Sequence, residues 1–268
     1  MPQSRLTHHW TKKNSTMELL DPDSSSTWHP DFKSFVYSGT VWPQIEAKVN
    51  PDEKNFIEFL AQVRCAPECL CDPLAIRLRN EGKRILLKRH SHVAAYHGCR
   101  PRDQETYREK GLLTSDTAVL IREARQLFDG IPVFDQALHG IETAYINHNQ
   151  GKVGFLYSAI RARFGHSEHP NGSELIRSLI FRLGPAANAR FRGTGTPTLI
   201  KCAIPLSWLD NHTTYSVSTS YASEVIAQLI LWRIRPDDEF HGFQGGFMLA
   251  RSLPPENILE FIEMTGFT

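Results

Sequence analysis

The sequence has no apolar run long enough to cross a bilayer. The longest, VIAQLILW at 225–232, is about eight residues, against the roughly 18–20 that a spanning helix requires. The opening MPQSRLTHHWTKKN has no apolar h-region, so the expectation is no signal peptide, no membrane partner and a cytoplasmic location. Without a secretory signal, the sequons at Asn14, Asn171 and Asn211 read as chance matches. Cysteine is scarce, with five in all: Cys65, Cys69 and Cys71 close together, Cys99 and Cys202 isolated. An odd, clustered set fits a reducing compartment better than a disulfide framework.

An excess of charge of one sign is also missing. Lys and Arg number 30 against 29 Asp and Glu, so net charge singles out no partner and local distribution must carry that question. Several catalytic signatures are absent too: no P-loop, no H-E-x-x-H and no G-x-S-x-G. The GTGT at 193–196 lacks a third glycine and precedes a strand pattern, which argues against a Rossmann site. What is present is ordinary globular composition, 41% apolar and 22% charged, on 268 residues, enough for a core without staples.

Along the chain, residues 1–30 are polar and Ser-rich and read as a loose arm or surface loop. FKSFVYSGTVWPQIEAKV at 32–49 reads as a short strand and turn, and PDEKNFIEFLAQV at 51–63 as a helix with Phe56, Phe59, Leu60 and Val63 on one face. HVAAYHGCR at 92–100 reads as a buried strand. Helices are expected over PRDQETYREK up to Gly111, over TAVLIREARQLF with Ser115 as cap and Gly130 as stop, from Pro132 to Gly151, and over SELIRSLIFRL. KVGFLYS, TPTLIKCAIP and GGFMLARSLPP read as strands, the last of them final, with PPENILEFIEM as a closing turn. SYASEVIAQLILWRI at 220–234 is ambiguous, and SVSTS at 216–220 reads as a polar loop. The order implies an α+β protein, with an N-terminal accessory segment at 1–90 and a second domain at 91–268.

The informative stretch is AAYHGCRPRDQETYREKGLL: an apolar strand ending in His97-Gly98, a polar helix, then Gly111-Leu112. It resembles the first motif of the ADP-ribosyltransferase superfamily, in the branch of diphtheria-type toxins and poly(ADP-ribose) polymerases, over roughly residues 90–265. The resemblance implies a split β-sheet core with flanking helices, NAD⁺ as substrate, and transfer of ADP-ribose to a macromolecular acceptor. It implies that the His97 ring binds a ribose hydroxyl and that the Gly98 backbone pairs with the carboxamide, with Cys99 and Arg100 lining the cofactor. An aromatic residue would stack on nicotinamide: Tyr157, with Phe164 and Phe155 as competitors. A late acidic residue would polarise the acceptor. Glu239 is preferred, since a carboxylate better stabilises positive charge on ribose; Gln244, nearer the strand, is the alternative. GGFMLARSLPPENI matches the family's ending. A compact member of this kind is similar to bacterial toxins and phage-defence effectors, for which an antitoxin protein is an expected partner.

Arg77, Arg79, Lys83, Arg84, Lys88, Arg89, Arg100 and Arg102 form a basic run. It favours RNA or DNA over protein as acceptor, and it also supports a rival reading, a noncatalytic nucleic-acid-binding module working through 77–102. Cys65, Cys69 and Cys71, with His90 or His92, supply part of a zinc set, but the second matching pair that structural zinc requires is missing, so no metal is expected. Cys99, on the same strand face as His97, suggests a thiol nucleophile, but no third orienting group is evident.

Overall fold

A computed structural model describes residues 18–49, 53–64, 71–101, 103–160, 173–209, 211–238 and 245–264. In chain order these form β1 (Leu19–Leu20), α1 (Pro30–Val36), α2 (Trp42–Val49), α3 (Glu53–Arg64), α4 (Pro73–Arg89), β2 (His92–Cys99), α5 (Glu105–Lys110), α6 (Thr117–Leu127) and α7 (Phe134–Asn149). Then come β3 (Val153–Leu156), α8 (Glu174–Leu183), α9 (Pro185–Arg192), β4 (Thr198–Pro205), α10 (Asn211–Ile234), β5 (Gly246–Leu249) and β6 (Ile258–Glu263). The architecture is α+β, an open sheet with flanking helices. The chain divides into two units, one of residues 1–94 and 204–243, the other of 95–203 and 244–268.

The first unit is mainly helical. The segment expected to hold a strand at 32–49 is two helices instead. Phe32 with Val36, and Ile45 with Val49, are i,i+4 pairs with both members buried, which is helical rather than alternating spacing. Pro30 opens α1, and His29 Nδ1 accepts the Asp31 amide at 3.1 Å. α3 follows expectation, with Phe56, Phe59, Leu60 and Val63 buried. Pro73 starts α4, and Asp72 caps it by accepting the Leu74 amide at 2.8 Å.

α10 lies against α1, α3 and α4 and settles the ambiguity at 220–234. Every residue from Tyr221 to Leu231 is buried, the polar Ser223, Glu224 and Gln228 included, so the helix shows no single apolar face in its sequence. SVSTS lies within this helix, with Val217, Ser218 and Thr219 buried, and is not a loop. Contact with α4 is close at Gly82, where a Cβ would fall 2.4 Å from Ile226 Cδ1. Residues 204–243 thereby fall in the same unit as residues 1–94.

Residues 18–30 are packed rather than loose. β1 pairs in parallel with the first residues of β2, and Leu20 and Asp21 are buried. The Asp21 carbonyl accepts Thr27 Oγ1 and Trp28 Nε1, each at 3.0 Å, and Trp28 stacks on Trp232 with centroids 5.3 Å apart.

The second unit joins a sheet and a helical layer. The strand path is β5-β3-β2-β4-β6, with antiparallel pairing at β2–β3, β3–β5 and β4–β6. β6 is a strand where a closing turn is expected from the sequence. α6 to α9 enclose Phe128, Leu138, Leu175, Leu179 and Phe191. Asp116, not Ser115, caps α6, accepting from the Ala118 amide at 2.9 Å. The Ser115 amide is engaged by the Lys152 carbonyl.

His90 ends α4 in the first unit, buried against the rings of Phe32 and His29. Neither ring nitrogen has a hydrogen-bond partner of good geometry. Burial, helped by His29 and opposed by the Glu18 carbonyl, pushes its pKa down to about 4. The unfolded chain therefore takes up this proton first. Stability is expected to fall as pH drops from about 6.5 to about 4, by about 3 kcal/mol from this group, and then to level off. Urea unfolding of wild type and His90→Leu at pH 7, 5.5 and 4.5 checks this: the variant should lose that part of the slope.

Candidate functional site

The site begins with strand parity in the second unit. Tyr96 pairs with Leu156, and Phe155 with Phe247, so His97, Phe155, Tyr157 and Phe247 share one side of the β2-β3-β5 sheet. Tyr96 and Leu156 go to the other side, where they pack with Ala159, Leu199 and Met264.

His97 is half-buried, and its Nδ1 lies 2.9 Å from the Gly154 carbonyl on β3. A carbonyl oxygen only accepts, so Nδ1 carries the hydrogen and Nε2 keeps its lone pair. Burial holds the ring below the usual histidine pKa, with the Gly154 carbonyl pulling the other way. The ring is thus neutral near pH 7, with one nitrogen committed to the strand and the other an acceptor.

Beside it runs a row of aromatic rings. His97 meets Phe155 edge-on at 6.1 Å, Phe155 stacks on Phe247 at 5.4 Å, and Phe247 stacks on Tyr157 at 5.8 Å. Tyr157 is buried, and its amide donates to the Gly245 carbonyl at 3.2 Å. Two glycines allow the β5 backbone to come this close. Gly245 has φ +93°, and a Cβ there would sit 3.4 Å from the Tyr157 ring; at Gly246 it would lie 2.1 Å from the Phe155 carbonyl. Phe247, Gly154 and the glycine pair were not singled out from the sequence. Only the cross-strand register brings them to His97.

The two ends of the resemblance also meet. The Leu112 amide and carbonyl exchange hydrogen bonds with those of Leu253, both 2.8 Å. Gly111 stops α5 at φ +73°, where a Cβ would fall 2.0 Å from the Leu253 carbonyl. The Gly-Leu pair is therefore pinned to the Leu-Pro-Pro turn.

Cys99 does not have the character of a nucleophile. It is buried, and burial pushes its thiol up to about 12, although Tyr107 hydrogen-bonds to it; burial raises Cys202 as well. His97 is turned to Gly154. Arg100 donates to the Gly195 carbonyl at 2.8 Å and the Arg192 carbonyl at 3.2 Å, and lies over the Phe191 ring. That guanidinium ties β2 to the loop after α9. Gly98 lies half-buried beside His97. Phe164, Glu239, Gln244, Arg102, Cys65 and Cys69 fall outside the described residues. Among the described residues no cluster of His, Cys, Asp or Glu could hold a metal ion.

The basic run is less uniform than its sequence. On α4, Arg84 pairs with Glu81, Arg89 pairs with Asp31 at 2.7 Å, and Arg79 reaches Cys71 Sγ. α4 lies in the first unit, whereas His97 and Arg100 lie in the second. Among the described residues no helix is long and apolar enough to cross a membrane. Comparison with protein-family models, curated proteins and solved structures finds no match to the chain.

Two measurements check this geometry. Histidine ¹⁵N spectra should show His97 as the neutral, Nδ1-protonated tautomer at pH 7, still neutral when the pH is lowered through about 6.5; a ring that titrates there contradicts the assignment. Gly111→Ala should lower unfolding free energy by about 2 kcal/mol or more, since the change adds both backbone strain and a clash with main chain. Denaturant titration reads that loss.

Proposed function

We propose that the chain is an NAD⁺-consuming ADP-ribosyltransferase of the His-Tyr-Glu type. The observation that carries the reading is the His97 ring. It is neutral, anchored through Nδ1 to Gly154, and leaves Nε2 as an acceptor on a sheet face lined by Phe155, Phe247 and Tyr157.

In this reading Nε2 of His97 accepts a hydrogen bond from a hydroxyl of the nicotinamide ribose and fixes the sugar's orientation. The Gly98 backbone pairs with the carboxamide. Tyr157 or Phe164 stacks on the nicotinamide ring, and Arg100 or Cys99 borders the cofactor. The glycosidic C–N bond breaks with its electron pair leaving on nicotinamide, and the ribose carbon becomes oxocarbenium-like. A nucleophilic atom of the acceptor attacks that carbon and loses its proton. Glu239 or Gln244 assists, a carboxylate being the better partner for the positive charge. The acceptor is a macromolecule, with RNA or DNA preferred to protein. A bacterial toxin or antiviral-defence effector, restrained by an antitoxin protein, is the biological setting that fits a compact enzyme of this type.

Nicotinamide release from NAD⁺ tests the reading. Wild type should release it, and His97→Ala should reduce the rate about 100-fold while keeping the wild-type circular dichroism. Absence of release, or release unaffected by the substitution, sinks the proposal. Transfer of label from NAD⁺ into RNA and DNA rather than protein checks the acceptor preference.

A further inference from the structure

The helical layer of the second unit carries cations that the site above does not use. From Leu175 to Leu209 the sequence has no Asp or Glu, against Arg177, Arg182, Arg190, Arg192 and Lys201. Four of these arginines lie on the hairpin formed by α8 and α9. Elsewhere in the described residues arginines are commonly paired: Arg84, Arg89, Arg108 and Arg125 all hold carboxylates. Arg182, Arg190 and Arg192 are exposed, and among the described residues none of the three forms an ion pair.

Two of these side chains are nevertheless held in place. Arg182 Nη2 donates to the Gly140 carbonyl at 3.2 Å, and its guanidinium lies against α7 where Gly140 has no side chain. Arg190 Nη1 donates to the Asp129 carbonyl. A carbonyl orients a guanidinium without neutralising its charge. Arg192 stands close enough to Arg100 that the two positive charges oppose each other. The hairpin therefore presents oriented, uncompensated positive charge. It also presents Phe181, 90% exposed, one residue before Arg182. The inward side of α8, with Leu175, Ile176 and Leu179, is already filled by the core, so Phe181 is not needed there.

The geometry points to the α8–α9 hairpin as a binding surface for single-stranded nucleic acid. Its phosphates meet the positive charge of Arg182, Arg190 and Arg192, and a base stacks on Phe181. Phosphates complement exposed guanidiniums that hold no carboxylate among the described residues, and every base offers a face to an exposed ring. This surface takes over from α4, whose cations are partly paired with Glu81 and Asp31. The inference does not depend on NAD⁺ chemistry at His97.

Fluorescence anisotropy of a labelled oligouridine with the full chain, in the absence of NAD⁺, is the test. Wild type should bind at low salt. Arg182→Gln/Arg190→Gln/Arg192→Gln should weaken binding and flatten its log–log salt dependence by about 2, at about 0.7 for each single-strand phosphate no longer neutralised. Phe181→Ala should weaken binding about tenfold without changing that slope. Arg77→Gln/Lys88→Gln on α4, and His97→Ala, should bind like wild type. The proposal is overturned if wild type does not bind, if the hairpin variants bind normally, or if the α4 pair weakens binding instead. It also fails if phosphatidylglycerol vesicles or polyglutamate bind the hairpin and the oligonucleotide does not.

Discussion

One hydrogen bond, from His97 Nδ1 to the carbonyl of Gly154, organises the sheet face on which the functional reading stands. It couples β2 to β3 through a side chain, sets the tautomer, and fixes which nitrogen stays available. Because the ring's protein environment disfavours the charged form, the available nitrogen is a lone pair rather than a donor. A cationic ring here would repel the positive ribose that the proposed reaction creates. The neutral ring instead suits a hydroxyl. The bond has this effect only because the β2–β3 register places Tyr96 opposite Leu156; a shift of one residue would send His97 to the opposite side, among Leu199 and Met264.

Close backbone approach supports this arrangement from three sides. Gly245 and Gly246 let β5 lie against Phe155 and Tyr157, and Gly111 lets the end of α5 meet Leu253. Gly195 comes to the Pro101 carbonyl, where a Cβ would sit 2.5 Å away, and Arg100 reaches the same loop through the Gly195 carbonyl. The residues after His97-Gly98 are thus held by main-chain contacts. Arg100 and Cys99 take part in that packing.

Short-range signals were legible in the sequence. β2 was visible as an apolar run ending at a polar turn, α3 from its apolar stripe, α5 from the Gly111 stop, and β3 and β4 from β-branched and alternating residues. Misreadings share a cause. α1 and α2 looked like a strand because their apolar pairs are few, and the deciding feature, i,i+4 burial of Phe32 with Val36, depends on what covers them. α10 defeated periodicity because partners surround it, so its Ser and Thr residues could be buried within a helix. β6 follows a Pro-Pro turn and is a strand because β4 offers it a pairing edge.

The sequence by itself determined the local chemistry: which residues could cap, stop, alternate or bind, and that His97-Gly98 ends a strand ahead of a short helix and Gly111-Leu112. Those properties depend on neighbours within a few positions. Only the tertiary structure decided that Gly154 orients the imidazole, that Phe247 joins its face, that Leu253 clamps Leu112, and that residues 204–243 return to the N-terminal unit. Each of those depends on strand register or helix packing between segments far apart in the chain, where the pairing energy resides in both partners and neither sequence alone encodes it.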